Sequence, residues 1–236
     1  MTRVFAHRGL HASARENTLE AFIAARDLGV DGVELDVRRS AEGDLVVHHD
    51  ALVEGRAIAR TPRAELPDYV PTLAQAVGAC AGLTVNVEIK NLDLPGEPDY
   101  DASGGFARQV VDLLEAAAVA GTSQVSCFDL ATCRAVRAAA PSLYVAWLVM
   151  GGDVAAQLGA AARAGLSALN PHFVAVDEAA VARAHELGLE LNVWTVNARH
   201  DLAAMVALGV DALITDDPAT ALAEVLGPEG GPAPMA

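Results

Sequence analysis

The residues of this sequence best suited to chemistry are His7-Arg8, Glu34-x-Asp36, His49 and Glu88-x-Lys90. Side chains two apart in a strand share a face. Glu34 and Asp36 therefore project together from one strand, and Glu88 and Lys90 from another. Three carboxylates brought to one place, with room left for water and substrate, suit a hard divalent cation such as Mg²⁺ or Ca²⁺. No Cys or His cluster has the spacing of a zinc site. Each carboxylate taken alone could pair with Lys or Arg in a structural network. Burying all three without a cation is very costly, so a divalent metal ion is the expected cofactor. His7 and His49 can give and take protons near neutral pH, which cleavage of a phosphodiester needs. Arg8 has the planar fork that holds phosphate oxygens. Unlike His7 and His49, which flank the acidic pair in βα positions, His11, His48, His172, His185 and His200 lack such support, and His185 and His200 are expected on helix surfaces.

Something must carry these residues to a common mouth. A helical segment ending in Gly, followed by a short apolar strand, recurs at Gly29, Gly82, Gly121, Gly165, Gly188 and Gly209. Gly at a helix C-terminus accepts the left-handed conformation without strain, and the rhythm is that of βα units. Eight strands are expected, near 3–7, 32–37, 84–89, 124–128, 143–148, 167–170, 190–195 and 211–215. That pattern predicts an α/β chain folded as a single TIM (β/α)8 barrel with a short insertion after strand 2. A doubly wound open sheet is the alternative, but no Gly-x-Gly-x-x-Gly follows the first strand.

In a barrel, alternate residues point inward. Glu34 and Asp36 would then face the interior with Asn86, Glu88 and Lys90, while Val33, Leu35, Val37, Val85, Val87 and Ile89 face the helices. The first helix has Asn17 as its expected N-cap and Glu20 three residues on. Residues 51–70 and 91–104 are the longer connections, the second rich in acids and turn residues. The barrel is expected to occupy residues 1–226, with 227–236 a disordered tail.

At 236 residues and 53 % hydrophobic content the chain can bury a full core. A net charge of −15 argues against nucleic acid as a partner. It also means that an anionic substrate would need a local cation. Three cysteines without a Cys-x-x-Cys spacing, no signal-peptide pattern and no bilayer-length apolar run lead us to expect a cytoplasmic protein with no stable membrane association. Oligomeric state is not readable.

Taken in order, His7-Arg8-Gly9, Glu16-Asn17-Thr18, Glu34-Leu35-Asp36, His49-Asp50, Val87-Glu88-Ile89-Lys90, Ser126-Cys127-Phe128-Asp129, Val193-Trp194-Thr195-Val196-Asn197 and Ile214-Thr215-Asp216-Asp217-Pro218 resemble the signature of glycerophosphodiester phosphodiesterases over nearly the whole chain. The resemblance implies a phosphoric diester hydrolase that releases sn-glycerol 3-phosphate and an alcohol from a small-molecule phosphodiester. It implies metal binding by Glu34, Asp36 and Glu88, and acid–base work by His7 and His49. Arg8 and Lys90 would face phosphate, and Glu16 would touch the metal or hold Arg8. It further implies attack by the glycerol 2-hydroxyl and a cyclic phosphate that water then opens. Trp194 could stack on the glycerol or fill the barrel mouth. The sequence departs from the family pattern in two places. Arg15 stands where Pro usually precedes Glu-Asn-Thr, and the segment after His49-Asp50 is short.

Overall fold

The computed structural model describes residues 1–227 except 13, 96 and 98. The expected tail, Gly227 apart, therefore lies outside the described residues. Eight strands run parallel and close on themselves: β1 (Arg3–His7), β2 (Gly32–Arg39), β6 (Thr84–Ile89), β7 (Ser123–Cys127), β8 (Tyr144–Val149), β9 (Ala168–Pro171), β10 (Glu190–Val193) and β11 (Ala212–Thr215). Closure comes from β1, which pairs with β2 on one side and β11 on the other. This is the expected TIM barrel, its strands within a residue or two of expectation.

Around the barrel lie α1 (Leu19–Leu28), α2 (Leu73–Ala79), α3 (Gly105–Ala116), α4 (Leu130–Ala139), α5 (Val154–Arg163), α6 (Glu178–Glu186), α7 (Arg199–Leu208) and α8 (Pro218–Leu226). Most of these helices start on a side chain that accepts from a free backbone N–H. Asp129, Asp153, Asp177 and Asp217 do this for α4, α5, α6 and α8. Each cap sits just past a strand, so it fixes where the connection over the mouth ends. Val33, Leu35, Val37, Val85, Val87 and Ile89 are all buried against the helices, in one continuous core. Burial of that layer is the main force holding the ring.

The insertion after β2 is also present. β3 (Leu45–Val47) pairs antiparallel with the end of β2, and β4 (Leu52–Val53) pairs with β5 (Arg56–Ala57). Val46, Val53, Ile58, Leu66 and Val70 form a small core of their own there.

One local expectation fails. Asn17 does not cap α1; Thr18 does, accepting from the Ala21 N–H. Asn17 adopts φ 57°, and its side chain serves Asp36 instead. Asn tolerates the left-handed region better than most residues, so the chain turns at Asn17 and the cap falls one residue later.

The floor of the barrel, at the amino ends of the strands, is polar but closed. Arg3 pairs with Glu190, whose carboxylate accepts from the Tyr144 hydroxyl at 2.5 Å. Asn192 Nδ2 donates to Tyr144 Oη at 3.1 Å and to Asn170 Oδ1 at 3.0 Å. Burial, with the Glu190 bond, pushes the Tyr144 hydroxyl well above its ordinary range.

Candidate active site

Strand register assembles the site. His7 stands opposite Glu34 across β1 and β2, and Asp36 opposite Glu88 across β2 and β6. His7, Glu34 and Glu88 line a cleft at the carboxyl ends of the strands, together with Asn86, Ser126 and Trp194. Barrel enzymes place their chemistry at this end.

The turn after β1 is tightly built. Gly9 has φ 83°, and a Cβ there would come within 2.8 Å of the Ala21 backbone and side chain. Only Gly lets the turn pack this closely on α1. Its tightness brings the Arg8 backbone N–H to Glu34 Oε2 at 3.1 Å. Arg8 itself has φ 57°, a strained conformation of the kind found at functional sites.

Glu34, Asp36 and Glu88 each place an oxygen within 4.8 Å of the others. Around them, Asn17 Nδ2 donates to Asp36 Oδ2 at 2.7 Å, and Asn17 Oδ1 accepts the Asp36 backbone N–H at 3.3 Å. Lys90 Nζ donates to Glu88 Oε1 at 2.8 Å and lies 3.3 Å from Asp36 Oδ1. Arg8 Nε is 3.4 Å from Asp36 Oδ2, while its NH1 grips both oxygens of Glu16 at 3.0 and 3.1 Å. Glu16 thus holds Arg8 and stays out of the carboxylate cluster.

The cluster is electrostatically unfinished. Glu34 is pushed well above its usual range by burial, then by Asp36 and Glu88. Burial would also raise Asp36, but Lys90, His49, Arg8 and the Asn17 amide outweigh it and hold this carboxyl low. Burial would lower Lys90, but Glu88 and Asp36 keep it firmly charged. Among the described residues, Glu34 Oε1 is buried with no hydrogen-bond partner, and Asp36 Oδ1 has only its ion pair with Lys90 at 3.3 Å. Buried oxygens without partners are rare and costly. All-oxygen donors with an unpaired carboxylate oxygen among them fit a hard divalent cation.

The two histidines are held differently. His7 Nδ1 lies 2.6 Å from Asp216 Oδ1, and its Nε2 is 3.9 Å from Glu34 Oε2. Asp216 stands one step past the Ala6–Thr215 pair of β1 and β11. His11 Nε2 reaches the same Asp216 oxygen at 3.0 Å, and Asn197 Nδ2 reaches the other at 2.6 Å. Burial would raise the Asp216 carboxyl, but its bonds to His7, His11 and Asn197 hold it far below the usual range. His49 follows β3, tied in by the His48 N–H donating to the Asp36 carbonyl at 3.0 Å. Among the described residues its ring meets only the exposed Asp50, at 2.8 Å.

Trp194 donates its indole N–H to the Asn170 carbonyl at 2.8 Å and stands edge-on to Phe128 and His172. It forms one wall of the cleft. Asn17, expected only as a helix cap, and His11 and Asp216 join the site unforeseen. Asn17 and Asp216 lie in segments of the family signature, which was the available signal. His11 carries none that spacing alone could reveal.

Comparison with known proteins bears on the family and the fold. The sequence matches the glycerophosphoryl diester phosphodiesterase family over residues 7–220. A glycerophosphodiester phosphodiesterase of Caldanaerobacter subterraneus subsp. tengcongensis is 30 % identical over 240 residues, covering 93 % of this chain and 96 % of the relative. One from Bacillus altitudinis is 26 % identical, covering 92 % and 96 %. Among solved structures, an Oleispira antarctica phosphodiesterase in complex with the product sn-glycerol-3-phosphate has a TM-score of 0.84 at 22 % identity, covering 96 % of this chain and 98 % of its own; at that identity it speaks for the fold alone. The Thermotoga maritima glycerophosphodiester phosphodiesterase has a TM-score of 0.76 at 25 % identity, covering 94 % and 96 %. With the family match spanning most of its length, the chain belongs to the glycerophosphoryl diester phosphodiesterase family of phosphoric diester hydrolases.

Proposed function

We propose that this protein hydrolyses glycerophosphodiesters to sn-glycerol 3-phosphate and an alcohol, in a metal-dependent reaction with His7 and His49 as the proton-transfer pair. The observation that carries the reading is the buried trio Glu34, Asp36 and Glu88, with Glu34 Oε1 unpaired among the described residues, beside a histidine already oriented by a carboxylate. The three carboxylates would hold Mg²⁺ or Ca²⁺. When bound, such a cation supplies a lowered hydroxyl pKa and offsets charge developing on the phosphoryl oxygens.

The chain's own residues do the rest. Arg8 and Lys90 place fixed positive charge beside the carboxylates, facing the phosphate, and Glu16 keeps the Arg8 fork aimed. Asp216 accepts at His7 Nδ1, so the neutral ring keeps its lone pair on Nε2, the atom turned toward the cluster. His7 is thereby suited to take the proton of the glycerol 2-hydroxyl as that oxygen bonds phosphorus. His49, nearer solvent, gives a proton to the alcohol oxygen as the P–O bond breaks. Water then opens the cyclic phosphate with the proton transfers reversed. Trp194 walls the glycerol side of the cleft.

Residues 1–226 are proposed as a single barrel domain that carries this chemistry. No helix among the described residues is long and apolar enough to cross a membrane. The buried thiols Cys80, Cys127 and Cys133, all free, suit the cytoplasmic location we propose.

Purified protein should release sn-glycerol 3-phosphate from glycerophosphocholine or glycerophosphoethanolamine with Mg²⁺, Ca²⁺ or Mn²⁺, and stop with EDTA. No product across that panel would overturn the activity, and full turnover after exhaustive chelation would overturn the metal. His49→Ala should cost about 10²–10⁴ in rate.

A second reading concerns the leaving group. Leu52, Leu94, Met150 and Val174 are well exposed on connections that follow barrel strands, around the mouth. Exposed apolar side chains on the connections at the mouth offer contact surface, which favours an alcohol with an apolar portion. Faster turnover of a lysophospholipid than of glycerophosphocholine would establish it.

A further inference from the structure

Arg38 is buried to 2 % exposure yet carries a full charge. It lies on the same face of β2 as Glu34 and Asp36, one step beyond the barrel rim. Its Nε and NH2 both donate to the backbone carbonyl of His49, at 2.8 and 2.6 Å. The other edge of the guanidinium meets Glu97 at 2.7 and 3.3 Å, with Asp99 Oδ1 3.9 Å away. Next along the strand, Arg39 grips the same connection. It donates to the Asp99 carbonyl at 2.9 Å and to Asp101 Oδ2 at 3.2 Å. The acids at 97–101 are therefore the counter-charge of two arginines at the end of β2.

A forked guanidinium fixes both the position and the plane of the carbonyl it holds, which a single ammonium does not. Glu97 holds the fork in turn. Among the described residues the His49 ring has only exposed Asp50 as a polar partner, so its place depends on its backbone. We infer that Arg38 is a positioning residue for His49, and that the connection after β6 sets it through Glu97. Seating of that connection and placement of the proton-transfer group are one event. The inference rests on the proton-transfer role proposed for His49.

The test is a double-mutant cycle on the full chain with Mg²⁺ and glycerophosphocholine. Arg38→Lys keeps the charge and loses the fork. It should lower kcat by about 10²-fold, the scale of a displacement of about 1 Å in a reacting group, with KM little changed. In the His49→Ala background the same substitution should have no further effect, because the group it positions is gone. Glu97→Gln leaves Arg38 in place and should give a smaller kcat loss, again absent in His49→Ala. If Arg38→Lys does not fold, the Glu97→Gln pair decides alone. Equal fractional losses in both backgrounds, or no loss in either variant, would overturn the inference. If His49→Ala is itself as active as the parent, the proposed role of His49 falls and this inference with it. A crippled His49→Ala with additive losses removes this inference alone.

Discussion

The mouth and the floor of this barrel are built from similar residues and are opposite in character. At the floor, Arg3, Glu190, Tyr144, Asn192 and Asn170 are linked by hydrogen bonds, the one cation pairs with the one carboxylate, and what stays unpaired among these residues is the neutral amide oxygen of Asn192. At the mouth, three carboxylates face two cations, Lys90 and Arg8, and the oxygen of this group left buried without a partner among the described residues, Glu34 Oε1, belongs to a carboxylate. An unpaired neutral amide costs little next to an unpaired carboxylate among like charges. The floor can thus serve the fold alone, while the mouth is the end that a cation would stabilise.

That contrast can be broken most directly at Glu34. Glu34→Gln should lower kcat on the order of 10³-fold, since a metal supplies several kcal/mol to such a transition state. Without metal the variant should melt no lower than the parent, because burial and two acidic neighbours already disfavour this charge. A divalent ion at a hundred times its Kd should stabilise the parent by about 2.7 kcal/mol and the variant far less. Calorimetry with and without metal reads both. If Glu34→Gln instead melts much lower and stays active, the mouth is as structural as the floor.

Next in size is Asn17→Gly, which keeps the positive φ and removes the amide from Asp36. Metal affinity by calorimetric titration should fall about 10- to 100-fold, the usual cost of losing a partner that orients a ligand. The floor should respond in the opposite sense. Tyr144→Phe leaves Glu190 with Arg3 and one Asn192 N–H with Asn170, and frees only the second N–H of that amide. It should cost about 1 kcal/mol in denaturant unfolding and leave kcat unchanged.

The smallest effect is in pH. Asp216 is held below its unfolded value, so its stabilisation is present above that value, near pH 4, and is lost as pH falls through the folded one. The melting-temperature advantage of the parent over Asp216→Asn should therefore be intact at neutral pH and shrink below about pH 4. An advantage that persists in stronger acid would show that the carboxylate bonds contribute little.

What the sequence revealed follows from periodicity. Glu34, Asp36 and Glu88 were readable because a strand places alternate residues on one face, and a barrel gives that face one meaning. The same parity reaches Arg38, but the strand was expected to end at 37, so its inward direction went unread. Asn17 was misassigned for a different reason. Asn before an apolar helix, with Glu20 following, is a sound local N-cap signal, and only the arrival of Asp36 from another strand gives its amide something better to bind. Asp216 beside Asp217-Pro218 reads as a helix start, a role that Asp217 in fact fills. Contacts across the sheet decide such cases, and local spacing carries no information about them. Trp194 was left between two roles for the same reason, since its wall of Phe128 and His172 comes from other strands.

The bond between His7 and Asp216 joins positions 209 residues apart, on the first and last strands of the ring. A nascent chain that has emerged as far as β10 would already carry every expected metal ligand and both histidines, yet nothing would orient His7. On the role proposed for His7, turnover would begin only once the final strand has docked. The enzyme's own activity is a readout of ring closure during synthesis, and two fragments divided before β11 should be inert apart and regain function when mixed.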